Sequence, residues 1–569
     1  MLKFFLFMPC RIWSLKINEG NRRNGRMTNN RKVMILAGGK GTRLWPVSRE
    51  NYPKFFLSIG SGKSLLQAAV SRGVKLAGIK NVFIVSNSEY RFLLRDHLKE
   101  GGLDFPLENI IAEPEGKNTA AAIALGMRAI EVMAGCGAPA KKGRTKSSAG
   151  AALSACDGAV LQGAAKKNNP GGNPSVFVFP ADHLIKDEAK FIEALKKAET
   201  ASGNGYITSL GIKPYRAETG YGYIKAGEKL RTCLAGRQAS PFLRTSPFSI
   251  KAGEKLRTSP FSPFSGREVE RFVEKPSAAK AQQFLKAGSY FWNAGIFVAS
   301  ASVFIGEFEN NAPAIWNAVR KWDGKNGRKL DAIYKKLPSI SFDYAVMEKT
   351  GKAAVVVYDG DWNDLGGWDS VYEVTSKDKN GNALPPQTAS CRKNVISLDS
   401  ENNLVYSTTG KIISLIGVQD LRVASTDDAL LIMGQGRSQD VKKAVEKLKG
   451  DEALVNHIRV RRPWGSFKTL ERADNYKVKV IEILPGRSIS LQKHARRSEE
   501  WLVLTGQVEV TLDGKIYKLK EDDRIKIPKG ASHRLTNRRR RKAKILEIAR
   551  GSYIEEDDII RLDDDFGRV

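Results

Sequence analysis

A single stretch, Leu36 to Lys54 (LAGGKGTRLWPVSRENYPK), constrains this chain more than any other. The apolar run just before the loop, Val33-Met34-Ile35-Leu36, has the character of a buried strand. It breaks into Ala37-Gly38-Gly39-Lys40-Gly41-Thr42-Arg43, where the glycines let the backbone come close to a ligand. Such a turn after a strand can aim backbone N–H groups at a phosphate. Arg43 and Lys54 bring two cations to the same neighbourhood, which suits a polyphosphate whose charge must be neutralised during phosphoryl-type transfer. A lone glycine-rich turn says little. The ordered string of loop, Arg43, Trp45-Pro46, Ser48-Arg49 and Pro53-Lys54 says far more.

At 569 residues the chain exceeds one ordinary core, and about two to four domains are expected. No run approaches the ~18 consecutive apolar residues that cross a bilayer. Met1 to Met8 is a short apolar run with one lysine and no small-residue cleavage site. Residues 1–30 therefore read as a disordered extension or, with Met27 just ahead of the first core strand, as a misplaced start, on a cytoplasmic protein. Cys10, Cys136, Cys156, Cys233 and Cys391 have no metal-site spacing, and structural disulfides are not expected. The net charge of +32 is spread along the chain, with one dense block, Arg538 to Lys542, read as a solvated loop. That charge suits nucleotide and sugar-phosphate ligands and specifies neither a nucleic acid nor a membrane partner.

From Lys32 to about Val374 strand and helix patterns alternate. Asn81 to Ser86 and Ser175 to Phe179 read as strands, Thr119 to Met133 and Glu188 to Thr200 as helices. The alternation predicts an α/β, Rossmann-like domain over 31–385, with a mostly parallel sheet and helices on both faces. Two flexible insertions interrupt it, at about 134–174 and 228–266. The first is rich in Ala, Gly, Lys and Ser; around the second, Ile224–Thr232 recurs as Ile250–Thr258 and Ser-Pro-Phe recurs four times. Residues 386–457 read as a β-rich, aperiodic linker with a short helix over Ser438–Leu448. From 458 to 569, short strands between Pro-Gly, Asp-Gly and Lys-Gly turns predict a compact β-barrel.

The Leu36–Lys54 string resembles the signature of the sugar-1-phosphate nucleotidyltransferases, and its Leu-Trp-Pro and Ser-Arg form resembles the mannose-1-phosphate guanylyltransferase branch. Phe55 departs from it, standing where that family usually has Gln. Other blocks follow in the family's order. Glu113-Pro114 with Lys117-Asn118-Thr119-Ala120 resembles the nucleotide-side motif, with Lys117 and Ala121 in place of the usual Arg and Pro. Thr219-Gly220-Tyr221-Gly222-Tyr223-Ile224 resembles the sugar-side glycine loop. Phe272-Val273-Glu274-Lys275-Pro276, Trp292-Asn293-Ala294-Gly295-Ile296-Phe297 and Phe342 to Lys349 also fit. Asp182 ends a buried strand, where α/β sheets bind ligands, and Asp364 lies in Asn363-Asp364-Leu365-Gly366-Gly367-Trp368. Alone, either Asp is more often a cap or turn residue; within the resemblance they look like the family's two metal aspartates.

The resemblance implies GTP at Gly38, Gly39, Gly41, Thr42, Glu113 and Asn118. It implies mannose 1-phosphate at Gly220, Glu274, Lys275 and Asn293, and Mg²⁺ on Asp182 and Asp364. Arg43 would face the leaving phosphates and Lys54 the transferred charge. A sugar-1-phosphate oxygen then attacks the α-phosphorus in line, with no protein nucleophile. Gly60-Ser61-Gly62-Lys63-Ser64 imitates part of a P-loop, but Leu57 stands at its first glycine, so it is discounted.

A second constellation lies near the C-terminus: Gln492-x-His494-x4-Glu499-x6-Gly506, then Pro528-x-Gly530-x2-His533-x3-Asn537. Residues two apart on a strand share a face, so Gln492 and His494 can point into one barrel. Glu499 and His533 would complete four metal ligands with room for water or substrate. This is the spacing of a cupin. Arg462 to Ser466, Ile489 to Gln492 and Glu499-x-Trp501 resemble the type II phosphomannose isomerase domain, which that family fuses behind the guanylyltransferase. The resemblance implies Zn²⁺ or another divalent metal such as Co²⁺, acting on mannose 6-phosphate and fructose 6-phosphate. Arg534, beside His533, is expected to hold the phosphate or an enediolate. Ala495, Arg496 and Glu500 depart from a stretch commonly richer in His. The rivals are a monofunctional guanylyltransferase with a non-catalytic cupin and a nucleotide-sugar-binding regulator that has lost catalysis. A homo-oligomer is compatible with all of these.

Overall fold

The structure, a computed structural model, describes residues 30–60, 62–133, 173–230, 266–385 and 392–564. The expected extension before Asn30, most of both insertions and all five cysteines lie outside the described residues.

Nine strands form the first sheet: β1 (Arg31–Ala37), β2 (Val82–Asn87), β3 (Ile110–Glu113), β4 (Ser175–Pro180), β5 (Ile207–Ile212), β6 (Tyr223–Lys229), β7 (Gly266–Val273), β8 (Tyr290–Ser300) and β9 (Ala353–Tyr358). Their order is β3-β2-β1-β4-β8-β5-β9-β7-β6. Helices α1 (Leu65–Ala77), α2 (Arg91–Glu100), α3 (Asn118–Met133) and α4 (Glu188–Ser202) cover its faces. The apolar run of β1 is buried on both sides, as a central parallel strand must be. Val33 and Ile35 pack among residues of α1, α2 and α4, while Met34 packs among those of α3. A Ser64–Gln67 capping box starts α1, and Gly78, at φ +81, ends it.

The sheet keeps its expected parallel character in direction, since seven of nine strands run the same way. Pairing departs from it. The reversed β8 lies between β4 and β5, so beyond β4 every pairing except β5–β9 is antiparallel. That inserted strand brings Asn293 to the binding end of the sheet.

The stretch read as aperiodic has a period of 18 residues. Strands β10 (Val395–Leu398), β11 (Leu404–Ser407), β12 (Ile413–Ile416) and β13 (Leu421–Ser425) stack as a parallel coil, β12 on β10 and β13 on β11, with hydrogen bonds linking residues 18 apart, and β14 (Leu430–Gly434) follows antiparallel to β13. The coil hides its period because Ser400, Asn403 and Arg422 are buried, whereas Ile396, Leu398, Ile412 and Ile416 face outward.

The last domain is a two-sheet barrel of β15 (Arg459–Arg462), β16 (Gly465–Arg472), β17 (Tyr476–Ile483), β18 (Leu491–His494), β19 (Arg497–Thr505), β20 (Gln507–Leu512), β21 (Lys515–Lys520), β22 (Arg524–Ile527), β23 (His533–Asn537), β24 (Ala543–Gly551) and β25 (Ile559–Asp563). One sheet runs β15-β16-β17-β24-β19-β22 and the other β21-β20-β23-β18-β25. Trp464, Trp501, Leu535 and Ile545 fill the space between. Arg538 to Lys542 is an exposed turn, as expected. No helix among the described residues is long and apolar enough to cross a membrane.

The signature loop is clamped from behind by the later domains. Leu44, Trp45, Val47, Leu365 and Trp368 share a core with Leu404, Tyr406, Ala424, Val441 and Val445. Arg49, fully buried, donates to Pro46 O at 2.7 Å and meets Asp428 Oδ1 at 2.8 Å. Glu50 and Asn51 N–H groups donate to Leu454 and Val455 carbonyls, just before β15 begins. Removing one partner of a buried ion pair strands the other charge. Asp428→Ala is therefore expected to destabilise this junction by about 3–5 kcal/mol, read as an earlier first transition in urea; an unchanged transition would contradict the clamp.

Candidate active sites

The loop after β1 needs its glycines for a specific contact. Gly41 sits at φ +63, and a Cβ there would come within 2.4 Å of Lys54 Cβ. The close approach seats Lys54, whose side chain is only 8% exposed, between two acidic loops. Its Nζ lies 2.6 Å from Asp182 Oδ2 and donates to the Asp364 carbonyl at 2.5 Å. Asp364 Oδ1 accepts from the Tyr221 hydroxyl at 2.5 Å and from the Gly366 N–H at 3.0 Å. Burial pushes the Asp182 carboxyl up, but Lys54 more than offsets this and holds it below the usual range. Burial holds the adjacent His183 below its ordinary value.

Asp182, His183, Tyr221 and Asp364 line a cleft of about 400 Å³ at the strand ends. Gly38, Gly39, Glu113 and Asn118 line one part of it, Gly220, Glu274 and Asn293 another. Gly41 and Thr42 are not among the lining residues and shape the loop instead. Lys54 is not itself among the lining residues and meets the cleft through Asp182 and the Asp364 loop. Arg43 does not line it either. It lines a neighbouring cavity of about 440 Å³ with Arg216, Arg422 and Gln439, and Asp364 lines both. Lys275 is exposed and ion-paired with Glu274. Asn118, Lys275 and Leu365 all hold positive φ (65°, 45° and 49°), a cost that clusters where a site constrains the backbone. Phe55 is buried against Phe56 and Tyr90, and it lines the cleft.

On the cleft's sugar side, the Asn293 amide is fully oriented. Its Oδ1 accepts from the Ser209 hydroxyl at 2.7 Å, and its NH₂ donates to Asp343 Oδ1 at 2.7 Å. Burial, then the charge of Glu274, pushes the Asp343 carboxyl up to about 7. Burial pushes Glu113 to about 7 as well, partly offset by the Tyr334 hydroxyl at 3.2 Å.

In the barrel the four expected ligands converge. His494 Nε2 lies 3.0 Å from Glu499 Oε1, His533 Nε2 3.7 Å from Glu499 Oε2, and Gln492 Nε2 3.5 Å from His533 Nε2. The Ala531 carbonyl lies 3.0 Å from His533 Nδ1, which fixes the proton there and turns the Nε2 lone pair inward. Three of the ligand atoms lie within 4.8 Å of one another, and this imidazole–carboxylate donor set fits a divalent metal. In the first site, Asp182 and Asp364 each present a carboxylate beside a cleft open to phosphate, which fits a hard divalent cation. Burial opposes the Glu499 charge, but His494, His533 and Arg497 hold its carboxyl well below the usual range.

Arg534 corrects the sequence expectation. Neighbours on a strand point to opposite faces, so with His533 turned inward Arg534 turns away and pairs with Asp563 Oδ2 at 2.7 Å. It is not among the residues lining the barrel cleft. Arg462, Lys479, Arg497 and Arg561 supply the cations there.

Residues 32–135, 148–235 and 254–381 match the nucleotidyl transferase family, 393–448 the MannoseP isomerase/GMP-like beta-helix domain, and 449–564 the mannose-6-phosphate isomerase C-terminal family. The chain is 37% identical to the xanthan biosynthesis protein XanB of Xanthomonas campestris, over 94% of this chain and 99% of that protein. It is 35% identical to a mannose-1-phosphate guanylyltransferase of Escherichia coli K12, over 94% and 98%. It belongs to the mannose-1-phosphate guanylyltransferase family, and its C-terminal part is a mannose-6-phosphate isomerase-type domain. A solved structure from Thermus thermophilus, titled mannose-1-phosphate geranyltransferase, matches with a TM-score of 0.55 at 26% identity, covering 74% of this chain and 100% of that one.

Within this family member, sequence reasoning passed over Tyr221 and Asp343, although each lay inside a quoted motif, and His183, which directly follows Asp182. It also missed Arg497, which lies between two expected ligands and donates to Glu499 Oε1 at 3.1 Å. Alternation along β19 was the available signal.

Asp343 has a consequence for stability. Its folded value of about 7 exceeds an unfolded value near ~3.9, so the native state binds more protons between them. Stability contributed by this group therefore falls as pH rises from about 4 to about 7. Asp343→Asn is expected to flatten that slope and to raise the stability of the free protein at pH 8 by roughly 1–4 kcal/mol. Parallel slopes for both proteins in thermal melts from pH 5 to 8 would refute it.

Proposed function

We propose that the chain transfers GMP from GTP to α-D-mannose 1-phosphate, giving GDP-mannose and pyrophosphate. The observation that carries this reading is Lys54, which ties Asp182 to the Asp364 loop, both aspartates lining one cleft with Gly38 and Gly39 and with Glu274 and Asn293. Gly38, Gly39, Glu113 and Asn118 hold the nucleotide; Gly41 and Thr42 set the loop that carries it. Glu274 and Asn293 read sugar hydroxyls, Gly220 contributes backbone, and Lys275 takes the sugar phosphate. The acceptor oxygen attacks the α-phosphorus in line while Lys54 meets the transferred charge and Arg43 the leaving phosphates. Mg²⁺ on Asp182 and Asp364 would neutralise phosphate charge there. A nucleotide substrate fits a cytoplasmic location.

We also propose that the barrel interconverts mannose 6-phosphate and fructose 6-phosphate. The support is the convergence of Gln492, His494, Glu499 and His533 on one point. Zn²⁺ or Co²⁺ held there would polarise the sugar carbonyl.

Lys54→Gln is expected to lower kcat about 10²- to 10³-fold, a loss typical of one preorganised charge-stabilising group. Pyrophosphate release from GTP plus mannose 1-phosphate measures it, and an undiminished rate would remove Lys54 from the chemistry. His494→Ala and His533→Ala are expected to abolish mannose 6-phosphate formation from fructose 6-phosphate while sparing pyrophosphate release. A wild-type protein that isomerises with neither metal would leave a guanylyltransferase with a non-catalytic barrel.

A further inference from the structure

The barrel cleft contains cations of two kinds. Lys479 Nζ lies 2.7 Å from Glu556 Oε1 and 3.7 Å from Glu547 Oε1. Arg497 donates to Glu499 at 3.1 Å and to the Glu555 carbonyl at 2.8 Å. Arg561, on the final strand β25, has no hydrogen bond or ion pair from its guanidinium among the described residues, and its Nε is buried without a partner. An unpaired buried donor is costly and rare unless something completes it.

Strand geometry explains how Arg561 stays unpaired. In a regular strand Arg561 and Asp563 would share a face, and the carboxylate would lie beside the guanidinium. Here the register with β18 shifts: Gln492 lies opposite Arg561 and Leu491 opposite Asp563, so Leu562 is the extra residue of a bulge. Paired residues share a face, so Arg561 points inward with Gln492, which reaches His533. Asp563 is sent to the other face, where Arg534 takes it. The bulge keeps Asp563 off the face of Arg561, the lining arginine without a partner among the described residues.

We propose that Arg561 binds the phosphate group of the sugar phosphate in the barrel site, a proposal that rests on the isomerase reading. Against the Glu499, Glu547 and Glu556 carboxylates the cleft sets four cations, Arg462, Lys479, Arg497 and Arg561, so the charge left over is positive. A guanidinium matches two phosphate oxygens at once, which a lysine ammonium does not. Arg462 lines the same cleft from β15.

The test uses the full-length protein loaded with Zn²⁺, in wild-type, Arg561→Ala and Arg561→Lys forms. Unchanged transferase turnover in each variant reports an intact fold. Two quantities are read: isomerase KM against kcat for mannose 6-phosphate, and binding of inorganic phosphate by calorimetry. Arg561→Ala is expected to raise KM and weaken phosphate about 10- to 100-fold, with kcat changed less and Arg561→Lys recovering part. Equal KM and equal phosphate binding in wild type and Arg561→Ala overturn the proposal. Should the wild type fail to isomerise, phosphate binding lost in Arg561→Ala still supports the anion site while the isomerase reading fails. Phosphate binding indifferent to Arg561 rejects the site whatever the turnover.

Discussion

Lys54 is the charge on which the first site depends. One ammonium, nearly removed from water, compensates the Asp182 carboxylate and holds the backbone of the Asp364 loop. Without it, two carboxylate-bearing loops from distant parts of the sequence would lose their common tie. The glycine at residue 41 serves the same end, because a side chain there would occupy the space of the Lys54 stem. The loop's glycines therefore differ in what they do, since Gly38 and Gly39 border the cleft while Gly41 admits the lysine. A buried ammonium held in this way costs little reorganisation when a phosphate arrives, which is the physical meaning of preorganisation.

The same loop has a back as well as a front. Behind Lys54, residues 44 to 51 are covered by the coil of β10–β14 and by the strap leading into β15. Arg49 is the clearest sign, an arginine with no exposure whose counter-ion, Asp428, comes from the coil. The transferase loop thus borrows part of its core from a domain outside the nucleotide-binding sheet. Deleting that coil would expose Leu44, Trp45 and Trp368 together, so the first domain is not self-sufficient in packing.

Much of this was legible in the sequence, for definite reasons. β1 and β4 are buried on both faces and so appear as unbroken apolar runs. The convergence of Gln492, His494, Glu499 and His533 was legible because period-two spacing and two distant halves had to agree. The coil was not, because hydrophobic patterning assumes apolar inside and polar outside. There Asn403 and Arg422 are buried while Ile412 and Ile416 are exposed, so the 18-residue repeat is carried by backbone stacking and side-chain amide bonds. Arg534 failed for a simpler reason: adjacency in sequence was taken for adjacency in space, and a strand separates neighbours to opposite faces. The reversed β8 was hidden too, since a strand's direction leaves no trace in its own composition.

The two sites treat buried charge in opposite ways. In the nucleotide cleft, opposite charges meet across Lys54 and Asp182, and the unfavourable feature is an excess of acid on the sugar side, where Asp343 is pushed towards neutrality by burial and Glu274. Hydroxyl groups suit that side, because they donate to carboxylates without adding negative charge. In the barrel the acids are matched and an arginine is in excess, held apart from Asp563 by one extra residue in β25. A phosphate suits that side for the converse reason. A sugar phosphate carries both kinds of group, and each site leaves unpaired the partner for a different one of them.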